Sequence, residues 1–157
     1  MNEYQFLPSL SFILPRVLVA TICGFIIGFE REWKGKSAGL RSNILICVGV
    51  CLYAAISMEM SKTVGVDPSR IIAQIATGIG FLGAGVIMKN DDRIVGITSA
   101  SFIWVMSAVG VLAGLGAVLT PIIITLILVI LSVLLQPIEE KIKNLAKSKK
   151  DGTKTGN

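Results

Sequence analysis

The chain has 157 residues, 53% of them hydrophobic and only 16% charged. A soluble domain carries about 25% charge, so an ordinary globular fold is excluded, as are disordered, collagen-like and secreted disulfide-framework chains. The net charge is +5, but most of that excess sits in a tail beside an apolar segment. Anionic lipid headgroups account for it better than nucleic acid does.

Hydropathy predicts five helices of about 17–22 residues each, long enough to span a bilayer. In chain order they run Leu10 to Phe29, Ser42 to Met60, Arg70 to Met88, Ile97 to Leu115, and Leu119 to Gln136. Within lipid every backbone amide needs a partner, so runs of this length are helices. Alternating segments of a β-barrel are absent. The fold class is therefore all-α, a polytopic membrane bundle over residues 1–137. A basic tail follows over residues 138–157, its early part an interfacial helix and its last ten residues disordered.

Pro15 precedes Arg16, the lone charge inside the first span, and suggests that the helix begins there with Arg16 snorkelling outward. Twelve of the fifteen Lys and Arg residues fall in the first loop, the third loop and the tail. The positive-inside rule then places the N-terminus outside and the C-terminus in the cytoplasm. The first span lacks a basic leader, so it reads as a span and not as a cleaved signal.

Small residues recur every fourth position: Ala20, Gly24 and Gly28; Ala76, Gly80 and Ala84; Gly110 and Gly114. Such stripes let helices approach closely. The fifth span is almost all large aliphatics. The expected packing is a core of spans one to four with span five outside, and self-association through glycine faces. Gly24-Phe25 with Gly39 to Ser42 parallels Gly80-Phe81 with Gly96 to Ser99. This weak repeat reads as two parallel hairpins.

Chemistry is sparse. There is no histidine, which removes the commonest general base. Cys23, Cys47 and Cys51 lie in apolar runs and read as small buried hydrophobes. Gly78, Gly80 and Gly83 fit a dinucleotide fingerprint only literally, since no strand precedes them. A packed glycine helix, or one locally broken toward a cavity, explains them better. No constellation for acyl or phosphoryl transfer is present, so no enzyme is expected.

Glu30, Arg31 and Glu32 stand where the first span meets the basic side. Glu30 and Lys34 are spaced to pair on a helix face, and Trp33 is placed as an interfacial anchor. Two carboxylates at a helix end also suit a hydrated Mg²⁺, with Asp91 and Asp92 on the same side. No other cofactor is indicated. Asp67-Pro68-Ser69-Arg70 reads as an N-cap, a first-turn proline and a helix start. Thr98, Ser99, Ser101 and Ser107 line the fourth span around Trp104, as partners for hydrogen bonds in lipid.

Gly24 to Glu32, then Lys36 to Ser42, resembles the opening of the MgtC/SapB family. Asp67 to Arg70, Ile79 to Ile87 and Gly96 to Trp104 are similar to three further blocks of that family, though a second threonine is more usual there than Ser99. The resemblance covers about residues 15 to 120. It implies a bacterial inner-membrane protein associated with magnesium homeostasis and, in pathogens, with survival in host cells. Members were once labelled magnesium-transport ATPase components, yet this chain has no ATPase machinery. Some carry a soluble domain after the last span, so the chain resembles the membrane-only branch.

Two readings follow. In the first, the chain is a membrane regulator or interaction protein whose basic loop and Gly39 to Ser42, including Arg41, contact a membrane complex. The resemblance suggests the rotary ATP synthase. In the second, it is a subunit of a Mg²⁺ or small-solute transporter, with Glu30, Glu32, Gly80, Phe81, Thr98 and Ser99 on one pathway. The block of residues singled out is completed by Arg31, Asp67, Arg70, Gly83 and Trp104. Absence of mid-span carboxylates ranks the regulator first.

Overall fold

The computed structural model describes residues 8–65, 67–90 and 93–154. Five helices run α1 Leu10–Trp33, α2 Leu40–Val64, α3 Pro68–Val86, α4 Ile97–Gly114 and α5 Leu119–Lys154. All five are long and apolar enough to cross a membrane. A short antiparallel hairpin, β1 Met88–Asn90 and β2 Arg93–Val95, joins α3 to α4 with Met88 opposite Val95. Hydropathy gave no sign of it, because three-residue strands carry no periodicity to read.

The tight centre is α1, α2 and α4. A Cβ on Gly24 would fall 2.7 Å from the Ile44 Cα, and one on Gly28 would fall 2.8 Å from the Leu40 Cα. Further along the same face of α2, a Cβ on Gly110 would stand 2.6 Å from the Cys47 carbonyl oxygen, and Gly114 meets the Cys51 carbonyl. These backbones touch because the side chain is missing, and dispersion across the seam replaces a hydrophobic drive that lipid cannot supply. The core it encloses holds Ala20, Cys23, Cys47, Cys51, Met106 and Val109. The three cysteines are buried and unbridged, as the sequence suggested.

The expected stripe on the third span behaves differently. Ala76, Gly80 and Ala84 are exposed, and only Ile79 and Gly83 of α3 are buried. Gly83 rests against Ala100 of α4. The expectation of a four-helix core with one outer helix is thus corrected: α3 lies as far out as α5. The reason is rotational. Ile79 and Gly83 turn to α4, which carries the stripe to the outer face. Helix α3 is also continuous through its glycines, with no break.

Two other expectations are corrected. Helix α1 begins at Leu10, not at Arg16, and Pro15 lies inside it. Arg16 turns inward: its Nε donates to the Gly114 carbonyl at 3.1 Å, and its guanidinium sits 3.6 Å from the centroid of the Phe12 ring. The last carbonyls of a helix lack partners and carry partial negative charge, so the C-terminus of α4 draws the cation. The tail is also helical through Lys154, consistent with its Glu, Lys, Leu and Ala content.

Gly24→Ala and Gly28→Ala should each destabilise the detergent-solubilised protein by about 1–3 kcal/mol through overpacking. Gly80→Ala, with nothing within 4 Å of an added Cβ, should cost nothing. Thermal unfolding of the three variants checks this; equal midpoints would remove the glycine seam as the organising contact.

Candidate functional site

The buried polar groups gather at the end of the bundle that carries the basic loops. Arg31 is 1% exposed. Its Nη2 donates to Ser99 Oγ of α4 at 3.1 Å, and its guanidinium lies 4.4 Å from the Phe102 ring centroid. Its Nε has no hydrogen-bond partner, and it forms no ion pair among the described residues. Sequence spacing singled out Arg31 and Ser99 separately. The fold brings them together because α1 packs against α4.

Glu30 faces α5. Its Oε1 pairs with Lys34, as the i,i+4 spacing suggested, and accepts from Ser132 Oγ at 2.8 Å. Its Oε2 is buried without a partner. Glu32 points elsewhere and is exposed. Its Oε2 accepts from the Leu40 N–H at 3.0 Å and so satisfies one orphan donor at the start of α2. The two carboxylates therefore serve separate partners. Among the described residues no group of three or more His, Cys, Asp or Glu is placed to hold a metal. Asp91 and Asp92 lie outside the described residues.

Gly39 precedes α2 as its N-cap. A Cβ there would collide with the Glu32 carboxylate. Asn43, one turn on, is fully buried and donates from Nδ2 to the carbonyls of Ala38 and Gly39 at 2.9 and 2.8 Å. It pins the loop that follows α1. Sequence reasoning missed Asn43, and also Ser132. Each is an isolated polar residue among aliphatics, which was the available signal. Gly96 opens α4 in a left-handed conformation, φ 92°, where a Cβ would strike the Val86 carbonyl.

A cavity of about 260 Å³ opens beside Arg31 between α1, α4 and α5, lined also by Lys34, Lys36, Thr98, Ser132 and Leu131. Trp104, Arg41, Gly80 and Phe81 are exposed and take no part in it. A second groove, of about 800 Å³, runs between α2 and α3 with Arg70 at its edge. Asp67 is at the opposite end from Arg31. It caps α3, accepting from the Ser69 N–H at 2.9 Å, and that bond holds its carboxyl below the usual range.

Five apolar helices with a buried cation at one end define a polytopic α-helical membrane protein. The family model described as "MgtC family" matches residues 17–141, and the chain belongs to that family. An Escherichia coli K12 protein named "Putative magnesium transporter YhiD" is 45% identical over 112 residues, covering 68% of this chain and 52% of that protein. "Protein MgtC" of Salmonella typhimurium LT2 is 44% identical over 100 residues, covering 64% of this chain and 42% of its own length. The chain thus spans about half the length of the curated relatives it matches. No solved structure matches it.

Two predictions follow from the caps. Glu32→Ala should cost about 0.5–2 kcal/mol of stability, as a lost N-terminal cap does, while Glu32→Gln keeps most of it. Gly39→Ala should reproduce the Glu32→Ala loss, and the double variant should be no worse than either. Additive losses in thermal unfolding would contradict the shared contact. Asp67, whose folded pKa is depressed, contributes above about pH 4, the ordinary carboxylate value. Its contribution is lost as pH falls through the folded value. Asp67→Ala should lower the unfolding midpoint at neutral pH and leave it unchanged in stronger acid.

Proposed function

We propose that this chain is a non-enzymatic regulator or interaction protein of the bacterial inner membrane, serving magnesium homeostasis. The bacterial setting and the magnesium link draw support from the relatives' organisms and from the name of the E. coli relative. One observation carries the preference for a regulator: the middle of the bundle is packed and uncharged, with Ala20, Cys23, Cys47, Cys51, Met106 and Val109 at its centre and the buried hydroxyls of Ser107 and Thr125 bonded to their own helices. An ion path needs polar groups lining a mid-bilayer cavity. The buried charges, Arg31 and the Glu30 carboxylate paired with Lys34, stand together at one end and not along the middle of the bundle.

In this reading the basic end faces the cytoplasm. The loop through Gly39 to Arg41 is offered to a partner there. Phe81, 81% exposed beside the exposed Gly80, offers a second contact within the membrane. A second copy of the chain is one candidate for that face. The rotary ATP synthase is the complex to which the resemblance points.

The name of the E. coli relative favours a second reading, transport of Mg²⁺. One experiment separates the two. Purified chain reconstituted in vesicles with a trapped Mg²⁺ indicator should pass no more Mg²⁺ than empty vesicles, while Phe81→Ala should abolish growth support under magnesium limitation without lowering thermal stability. Flux above background that falls in Glu30→Gln, with Phe81→Ala fully active, would overturn the regulator in favour of the transporter.

A further inference from the structure

The cavity beside Arg31 has an unusual charge balance for a site inside a bundle. Arg31, Lys34 and Lys36 line it. The carboxylate in contact with this group is Glu30: its Oε1 pairs with Lys34 and accepts from Ser132, its buried Oε2 makes no hydrogen bond, and it forms no ion pair with Arg31. Arg31 is left with a serine, a phenyl face and a buried Nε that donates to nothing. A guanidinium held out of water with no carboxylate in ion-pair contact among the described residues is costly. A planar donor fork of this kind matches the oxygens of a phosphate group.

The cavity supplies what such a group needs. Hydroxyls of Thr98 and Ser132 stand beside the cations, and the volume of about 260 Å³ holds far more than one water, whose share is about 30 Å³. The opposite wall is apolar, made of Phe102, Leu128, Leu131 and Leu135. A free anion has no use for that wall, whereas a phospholipid has an acyl chain to lay along it. Basic pockets between membrane helices are known hosts for anionic headgroups.

We infer that the cavity between α1, α4 and α5 binds a phosphate group, and that its source is an anionic phospholipid of the leaflet at the basic end. The phosphate sits against Arg31 and Lys36, and one acyl chain runs down α5 past Leu131. The inference is independent of whether the chain regulates or transports.

The test uses the full chain in neutral detergent, with phosphatidylglycerol, phosphatidylcholine or inorganic phosphate added. Thermal shift and native mass spectrometry are the readouts. Phosphatidylglycerol should bind saturably and raise the midpoint, and phosphatidylcholine should do so at least several-fold more weakly. Lys36→Gln, at an exposed position, should weaken phosphatidylglycerol several-fold without altering the lipid-free midpoint, and Arg31→Gln should abolish the effect. Leu131→Trp, which blocks the apolar wall, should abolish lipid binding while sparing any response to inorganic phosphate. A response to inorganic phosphate alone, lost in Lys36→Gln and kept in Leu131→Trp, would overturn the lipid source. Lipid binding that ignores both Lys36→Gln and Leu131→Trp, or no response to any additive, would overturn the site itself.

Discussion

The fold depends on backbone touching backbone. In lipid, an aliphatic side chain gains little by leaving one hydrocarbon surface for another. Association must come from close contact, and four glycines provide it: Gly24 and Gly28 of α1 against Leu40 and Ile44 of α2, Gly110 and Gly114 of α4 against Cys47 and Cys51 further along the same face. Both pairs meet one face of α2, so the three helices close on a shared core. The placement of Arg31 and Glu30 at the basic end follows from that seam, because it sets how α1 is rotated. With Gly24 and Gly28 turned to α2, Arg31 is carried inward to Ser99 and Glu30 is carried to Ser132.

The same seam explains which features are legible in the sequence. Local ones are. The five spans, the Asp67 cap with Pro68 behind it, the Glu30 and Lys34 pair and the buried cysteines depend on neighbours within a turn or on hydropathy alone. The resemblance over residues 15 to 120 agreed with the family that matches residues 17–141. What sequence did not reveal was rotation about helix axes. The stripes on α1 and α3 look alike as strings, yet one is buried and the other exposed.

The candidate site was legible in part. Arg31, Ser99 and Thr98 were singled out, but as separate features. Their meeting required knowing that α1 lies on α4. Glu30 and Glu32 read as a pair in the sequence because they are two residues apart. On a helix that spacing puts them on different faces, and each serves a different neighbour. The inward turn of Arg16 is hidden from the sequence for a related reason. Its partner, the Gly114 carbonyl, is 98 residues away, and only the folded bundle brings an unsatisfied helix end beside it.

The outward lie of α3 has a dynamic corollary. Helix α5 is tied to its neighbours by hydroxyl and ammonium bonds through Ser132 and by Pro121 and Thr125 set into the core. Helix α3 inserts only Ile79 and Gly83 and borders an open furrow along α2. Segments with few buried anchors detach at the lowest free energy. Local opening that leaves the α1, α2 and α4 seam intact is therefore expected along that furrow, between the hairpin at one end of α3 and the Asp67 turn at the other.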